Sequence, residues 1–251
     1  MTIFYFILLG LLQGLTEFLP VSSSGHILIL SKLFGIGEPL FVGIVLHVAT
    51  LLSIIVVMRK EILYLIKHPL SKEMRQLCLS TILTLIMIFL LYDIAKQSYF
   101  EAFVPFAFML TAVILILTEL LSKKERNLTG FSYKNSIIMG IAQGLAIFPG
   151  LSRSGTTICA GMICGGERKQ VSKFSFLMSI PIIIGSMIME IIDLSQTKVI
   201  FNDYLGLVLG FVVAFIVGIF ALKIMIKATS KIKLKYFAYY LIVLSIITLF
   251  I

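Results

Sequence analysis

A polar stretch interrupts this otherwise apolar chain, and it occurs twice. The first copy spans residues 13–26 (QGLTEFLPVSSSGH) and the second spans residues 143–155 (QGLAIFPGLSRSG), at an offset of 130 residues. Only the first copy contains a carboxylate and an imidazole, and only the second contains a guanidinium. Each charged group costs about 2.5–3.5 kcal/mol at the centre of a bilayer unless it lines a cavity or binds a ligand. The repeat therefore predicts a buried polar site that two halves of a membrane protein share.

Composition indicates the same class of protein. Of the 251 residues, 59% are hydrophobic and only 13% are charged, which is roughly half the charged fraction of a soluble domain. The net charge of +9 would suit nucleic acid. Most Lys and Arg residues, however, lie in short segments between apolar runs, where they set membrane topology. We therefore expect a bilayer around the protein and no nucleic-acid partner.

The hydrophobic runs predict an all-α polytopic membrane protein. Runs of membrane-spanning length occur at residues 40–58, 77–93, 103–121, 173–191, 205–223 and 236–251. Residues 3–34 and 136–165 are apolar but are broken by the polar motifs, so each is predicted to form a re-entrant helix–loop–helix hairpin. The prediction is a single integral membrane domain with an inverted-topology repeat, in which each half has one hairpin and three transmembrane helices. Repeat 1 covers about residues 1–122 and repeat 2 about 132–251.

The basic residues of the connecting segments predict the orientation. Their Lys and Arg counts alternate between high and low, as five, one, four plus three, one and five, over residues 59–76, 94–102, 122–135 with 166–173, 192–204 and 223–235. The basic segments belong on the cytoplasmic side. Both termini are then outside, and the two hairpins enter from opposite faces and meet near the middle.

The motif side chains suit phosphoryl transfer. Gln13 and Glu17 are spaced i, i+4 on one helix face and offer oxygen ligands to Mg²⁺ or Ca²⁺. His26 lies three residues after Ser23, close enough to activate a hydroxyl or to protonate a leaving oxygen. Arg153 brings a guanidinium that can contact two phosphate oxygens at once. Metal, acid–base residue and anion site together predict a phosphoryl-transfer enzyme.

The serine-rich loops are predicted to bind the phosphates, because each leads into a half-helix whose first N–H groups attract anions. The predicted phosphate-binding residues are Ser22, Ser24, Gly25, Ser152, Arg153, Ser154, Gly155 and Thr156.

Structural explanations of the same residues stay open. Glu17 can be a packing carboxylate, and His26 can simply bond to its own loop. Arg153 can neutralise Glu17 across the repeat interface, which explains the charge complementarity but not the triple serine. His47 and His68 are predicted to be structural or solvated.

The paired motifs resemble the undecaprenyl-diphosphatase family of the bacitracin-resistance type, over essentially the whole chain. The resemblance rests on Gln13-x-x-x-Glu17, on residues 20–26 (PVSSSGH) and on residues 149–155 (PGLSRSG), in that order. It implies hydrolysis of undecaprenyl diphosphate to the monophosphate carrier lipid, which is reused for peptidoglycan and other envelope glycans. It also implies a divalent cation and an active site that faces the outer side of the bacterial plasma membrane.

The resemblance also implies roles for individual residues. Glu17 and Gln13 fall on the metal-binding motif, where Gln13 is the amide option and leaves one charge fewer at the metal. Ser23 or a neighbour falls on the nucleophile, and His26 falls on the acid–base residue. Arg153 falls on the phosphate-binding arginine.

Two other functions compete with this one. A secondary transporter or lipid flippase would use the same inverted-repeat architecture, but it does not need a histidine beside a serine cluster. Acid-phosphatase-like lipid phosphatases need a histidine six residues after the arginine of their Ser-Arg motif, and Cys159 occupies that position. The expected partners are therefore a prenyl diphosphate lipid and the bilayer, and a homodimer is left open.

Overall fold

The computed structural model describes residues 2–35, 39–97, 103–122, 131–195, 203–228 and 232–250. The secondary-structure elements of these residues are all α-helices. In chain order they are α1 (Thr2–Thr16), α2 (Ser23–Phe34), α3 (Pro39–Val57), α4 (Arg59–Lys67), α5 (Lys72–Gln97), α6 (Val104–Leu121), α7 (Tyr133–Leu145), α8 (Arg153–Ile163), α9 (Arg168–Ser195), α10 (Tyr204–Ala228) and α11 (Lys235–Thr248).

Both predicted hairpins are helix–turn–helix units. The pair α1 and α2 and the pair α7 and α8 each break at the polar motif. The same capping interaction starts both second helices, because the Ser22 and Ser152 side chains accept hydrogen bonds from the N–H groups of Gly25 and Gly155. The oxygen–nitrogen distances are 3.4 and 3.1 Å. Serine is a preferred N-cap residue, so the motif itself ends one helix and begins the next.

Among the described residues, four helices (α5, α6, α9 and α10) are long and apolar enough to cross a bilayer alone, and α3 with α4 makes a fifth as a pair bent by 74°. The all-α polytopic class is confirmed. The described residues thus give up to five of the six expected spans, because α11 has 14 residues, fewer than the ~20 residues that a span requires.

Helix α4 lies where the sequence analysis placed a simple connection. Its sequence, RKEILYLIK, mixes charged and apolar residues at helical spacing, and Leu65 is the residue that it buries. A short amphipathic helix of this kind suits the boundary between headgroups and acyl chains. Because α4 contains no uniformly apolar run, the hydrophobic runs of the sequence do not reveal this helix.

The first helix of each hairpin packs closely against a long helix of the other half. On α1, a Cβ added to Gly10 would lie 2.2 Å from the carbonyl oxygen of Gly210 on α10. On α7, a Cβ added to Gly140 would lie 2.6 Å from the carbonyl oxygen of Ser80 on α5. The two contacts are related by the same offset of 130 residues that relates the polar motifs.

One turn later, the same contact recurs in both halves. A Cβ on Gly14 would lie 2.8 Å from the carbonyl oxygen of Ala214, and one on Gly144 would lie 3.0 Å from that of Thr84. Small residues four apart let helix backbones approach in this way. The two halves therefore pack reciprocally, as a repeat predicts, while their inversion relative to a bilayer stays a prediction.

The reciprocal packing predicts that Gly10→Ala destabilises the fold. The added methyl group would overlap the Gly210 backbone, and relief requires α1 and α10 to separate, at a cost of about 1–3 kcal/mol. Gly185→Ala is the matched control, because nothing lies within 4 Å of a Cβ at that position and alanine favours helix. Unfolding of the detergent-solubilised variants measures the effect, and equal stability of the two variants would contradict it.

Candidate functional site

The two polar turns touch each other, as the sequence analysis predicts. The Ser154 hydroxyl donates a hydrogen bond to the carbonyl oxygen of Leu19, at 2.9 Å. In the other direction, the Gly150 N–H donates to the Ser24 hydroxyl, at 3.5 Å. Residues far apart in the chain thus form one site, and each half supplies part of it.

The motif glycines are needed where the turns meet other parts of the protein. A Cβ on Gly25 would lie 2.6 Å from the Phe108 ring and 3.2 Å from Gly150. A Cβ on Gly155 would lie 3.2 Å from Pro20. These close approaches require glycine at both positions, and contact of the two glycines with phosphate stays a prediction.

The Glu17 carboxylate is the centre of the site, and its side chain is only 2% exposed. Its Oε1 atom is paired with Nη2 of Arg153. Its Oε2 atom accepts hydrogen bonds from Ser23 Oγ, at 2.6 Å, and from Gln13 Nε2, at 3.1 Å. Nε2 of His47 lies 3.7 Å from the same Oε2. The structure therefore brings together four of the predicted residues and adds a histidine that was expected to be structural.

The ion pair realises the alternative in which Arg153 neutralises Glu17 across the repeat interface. It does not use the whole guanidinium, because the buried Nη1 atom of Arg153 has no hydrogen-bond partner among the described residues. A buried donor without a partner is costly. The arginine thus balances the carboxylate through one nitrogen and keeps another available for an anion.

The side-chain amide of Gln13 is also only partly hydrogen-bonded. Its Nε2 atom donates to Glu17 and also to Thr50 Oγ1, at 3.3 Å. Its Oε1 atom is buried and has no hydrogen-bond partner in the part of the chain that the structure describes. This is an oxygen ligand of the kind that a hard divalent cation binds.

His26 does not contact a serine hydroxyl in this structure. Its Nδ1 atom lies 2.7 Å from the carbonyl oxygen of Ser22, and its Nε2 atom lies 2.7 Å from the hydroxyl of Tyr240. A carbonyl only accepts, so Nδ1 carries the proton and the neutral ring accepts from Tyr240 at Nε2. The bond to the Ser22 carbonyl corresponds to the alternative in which His26 bonds to its own loop, while the Ser23 hydroxyl donates to Glu17.

The other serines that were predicted to bind phosphate form one hydroxyl pair in each polar turn. The hydroxyl oxygens of Ser22 and Ser24 are 3.4 Å apart, and so are those of Ser152 and Ser154. Thr156 is different, because its hydroxyl donates to the carbonyl oxygen of Ser152 in its own helix, at 2.7 Å. Its proton is therefore directed away from any ligand at the turn.

Sequence reasoning missed His47, Thr50 and Tyr240. His47 and Thr50 are three residues apart and so share a face of α3, and a polar face inside an apolar helix is the signal that could have found them. Tyr240 lies in α11, where tyrosine is ordinary at the edge of a membrane. Nothing in the sequence distinguishes it from its neighbours.

Together these features define a polytopic α-helical membrane protein with a polar site between two broken hairpins. The family model described as bacitracin resistance protein BacA matches residues 6–247. The chain belongs to this family.

Relatives named undecaprenyl-diphosphatase match the chain over nearly its full length. The protein of Thermosipho africanus is 41% identical over 252 residues, which are 98% of this chain and 98% of the relative. That of Bacteroides fragilis is 38% identical, over 97% of this chain and 96% of the relative. That of Carboxydothermus hydrogenoformans is 36% identical, over 98% of this chain and 96% of the relative.

The Glu17–Arg153 pair should show strong energetic coupling. Removing one partner of a buried pair leaves the other charge uncompensated and costs about 3–5 kcal/mol. We therefore expect Arg153→Gln to destabilise the protein strongly, and Glu17→Gln with Arg153→Gln together to be less harmful than the sum of the two. A double-mutant cycle in the free energy of unfolding measures the coupling.

The Glu61–Lys173 pair provides a matched control. Its atoms are 2.6 Å apart, but the two side chains are 33% and 36% exposed. Solvent screening should reduce its coupling to about 0–1 kcal/mol. Equal coupling in the two pairs would show that burial does not strengthen the Glu17–Arg153 interaction.

Proposed function

We propose that this protein hydrolyses undecaprenyl diphosphate to undecaprenyl phosphate and inorganic phosphate. The observation that carries the proposal is the cluster around Glu17. In it, a buried carboxylate contacts a serine hydroxyl and an arginine whose Nη1 atom has no hydrogen-bond partner among the described residues. The relatives that match almost the whole chain are named for this activity. The product is the carrier lipid that peptidoglycan and envelope-glycan synthesis reuse.

Arg153 and the start of α8 form the proposed phosphate site. Arg153 is the first residue of α8, so its side chain and the positive end of the helix dipole lie together. Both attract anions. The free Nη1 atom can contact a phosphate oxygen while Nη2 remains on Glu17, or the whole guanidinium can move to the phosphate.

A divalent cation, Mg²⁺ or Ca²⁺, is part of the proposal. The residues present fit such an ion, because Glu17 supplies a buried carboxylate and Gln13 supplies a carbonyl oxygen that has no hydrogen-bond partner among the described residues. When bound, the ion would neutralise charge on the phosphates.

The chemical step breaks the bond between the bridging oxygen and the terminal phosphorus. The attacking oxygen is either Ser23 Oγ or a water in its place. In both cases the oxygen loses one proton, for which the Glu17 carboxylate is the nearest acceptor, since it already accepts the Ser23 hydrogen bond. The bridging oxygen leaves with the lipid monophosphate. Attack by Ser23 would give a phosphoserine that a water then hydrolyses.

His26 is the proposed acid–base residue for the leaving oxygen. Because its Nε2 atom accepts a hydrogen bond from the Tyr240 hydroxyl, His26 must first take up a proton at Nε2, with that hydroxyl displaced, before it can protonate the leaving oxygen. Ser22, Ser24, Ser152 and Ser154 hold the turns in place and supply hydroxyl groups near the phosphates.

The proposed location is the bacterial plasma membrane, with both termini outside and the site open to the outer side. Support comes from the alternation of basic connecting segments. The prenyl tail of the substrate would stay in the bilayer while the diphosphate enters between the hairpins. Transport or lipid flipping is not favoured as the main function, because the relatives are named as phosphatases.

Phosphate release from undecaprenyl diphosphate by the detergent-solubilised protein tests the proposal. We expect release by the wild type and loss of release in EDTA. Glu17→Gln, His26→Gln and Arg153→Gln should each lower kcat/KM by about 10²–10³-fold, the scale for removing a group that stabilises charge in the transition state. Glu61→Gln, which changes a carboxylate outside the site, should retain wild-type activity.

The variants must first be shown to be folded, by size-exclusion chromatography and thermal unfolding. Wild type that binds the lipid but releases no phosphate would overturn the phosphatase proposal. Rapid acid quenching and mass spectrometry of peptides containing Ser23 then separate the two nucleophiles, because only serine attack leaves a phosphorylated peptide.

A further inference from the structure

His47 faces the carboxylate at the centre of the site, although the family motifs do not include it. Its Nδ1 atom lies 2.8 Å from the carbonyl oxygen of Gly43, one helical turn earlier on α3. A carbonyl only accepts hydrogen bonds, so Nδ1 carries a proton. In the neutral ring, Nε2 therefore has a free lone pair, and this lone pair is on the atom that lies 3.7 Å from Glu17 Oε2.

The distance between these two atoms is too long for a hydrogen bond. N–H···O bonds to carboxylates are about 2.7–2.9 Å long, so a direct bond would bring the imidazole closer than 3.7 Å. The gap instead suits one ion bound to both atoms. Both atoms could hold one ion, because metal–nitrogen and metal–oxygen distances are each about 2.1 Å.

Gln13 would complete the same site. Its Nε2 atom now donates to Glu17 Oε2, while its Oε1 atom is buried without a hydrogen-bond partner among the described residues. Reversing the amide would turn Oε1 towards the carboxylate, which is unfavourable unless a cation lies between the two oxygens. An ion bound there satisfies Oε1, and the pairing of Arg153 with the other carboxylate oxygen can remain.

We propose that His47 is a third protein ligand of the divalent cation, together with Glu17 and Gln13. This inference rests on the proposed use of a divalent cation by the phosphatase. It adds a nitrogen ligand to the two oxygen ligands, and Mn²⁺ can probe such a mixed site because it accepts carboxylate and carbonyl oxygens as Mg²⁺ and Ca²⁺ do.

Mn²⁺ binding to the full-length protein in detergent tests the assignment without measuring turnover. Electron paramagnetic resonance of a Mn²⁺ titration gives the affinity, and pulsed measurements detect a nitrogen nucleus bound directly to the ion. We expect the wild type to bind Mn²⁺ in competition with Mg²⁺ or Ca²⁺ and to show the nitrogen signal. His47→Gln should lose that signal and bind Mn²⁺ about tenfold or more weakly.

His68→Gln is the matched control. His68 has the same local geometry, with Nδ1 3.0 Å from the carbonyl oxygen of Tyr64 one turn earlier, but its side chain is exposed at the end of α4. This variant should keep both the nitrogen signal and the Mn²⁺ affinity. Glu17→Gln should abolish binding at the site.

Three results would overturn the proposal. These are wild type that does not bind Mn²⁺, bound Mn²⁺ without a nitrogen signal in the wild type, and His47→Gln with wild-type signal and affinity. The first two need no variant, so a misfolded variant cannot hide them. Failure of the phosphatase proposal is a separate outcome, because a protein that releases no phosphate can still bind Mn²⁺ through His47.

Discussion

The buried pairing of Glu17 with Arg153 is the interaction on which the site depends. A carboxylate that is 2% exposed needs a partner, because burying an uncompensated charge costs several kcal/mol. Its partner comes from the other half of the chain, so the charge is compensated only when the two hairpins meet. Fold and site are therefore coupled, since the contact that allows the acidic group to be buried also assembles the residues around it.

Much of the fold was predictable from the sequence because its causes are local. The serine caps that break the hairpins and the apolar runs of the long helices can be read from neighbouring residues. Helix α4 could not be found in that way, because its amphipathic pattern is hidden between basic residues. Helix α11 ends at Thr248, before the end of the apolar run 236–251 that predicts it. The composition of an apolar run does not fix where its helix ends.

The site was predictable as a set of residues but only partly as a geometry. Gln13 and Glu17 meet as their spacing on one helix requires. His26 differs from expectation because its ring nitrogens bind the carbonyl of Ser22 and the distant Tyr240. Nearness in sequence does not decide which way a ring points, and a partner more than two hundred residues away leaves no local signal.

The reciprocal glycine contacts also constrain how the protein can be made. Helix α1 is synthesised well before its close partner α10, which begins at Tyr204. Until α10 emerges, the first hairpin and its carboxylate lack the surface against which they pack. Insertion of the first half must therefore tolerate an incomplete polar hairpin until α10 has been synthesised. The close packing of the first hairpin is completed only after that point.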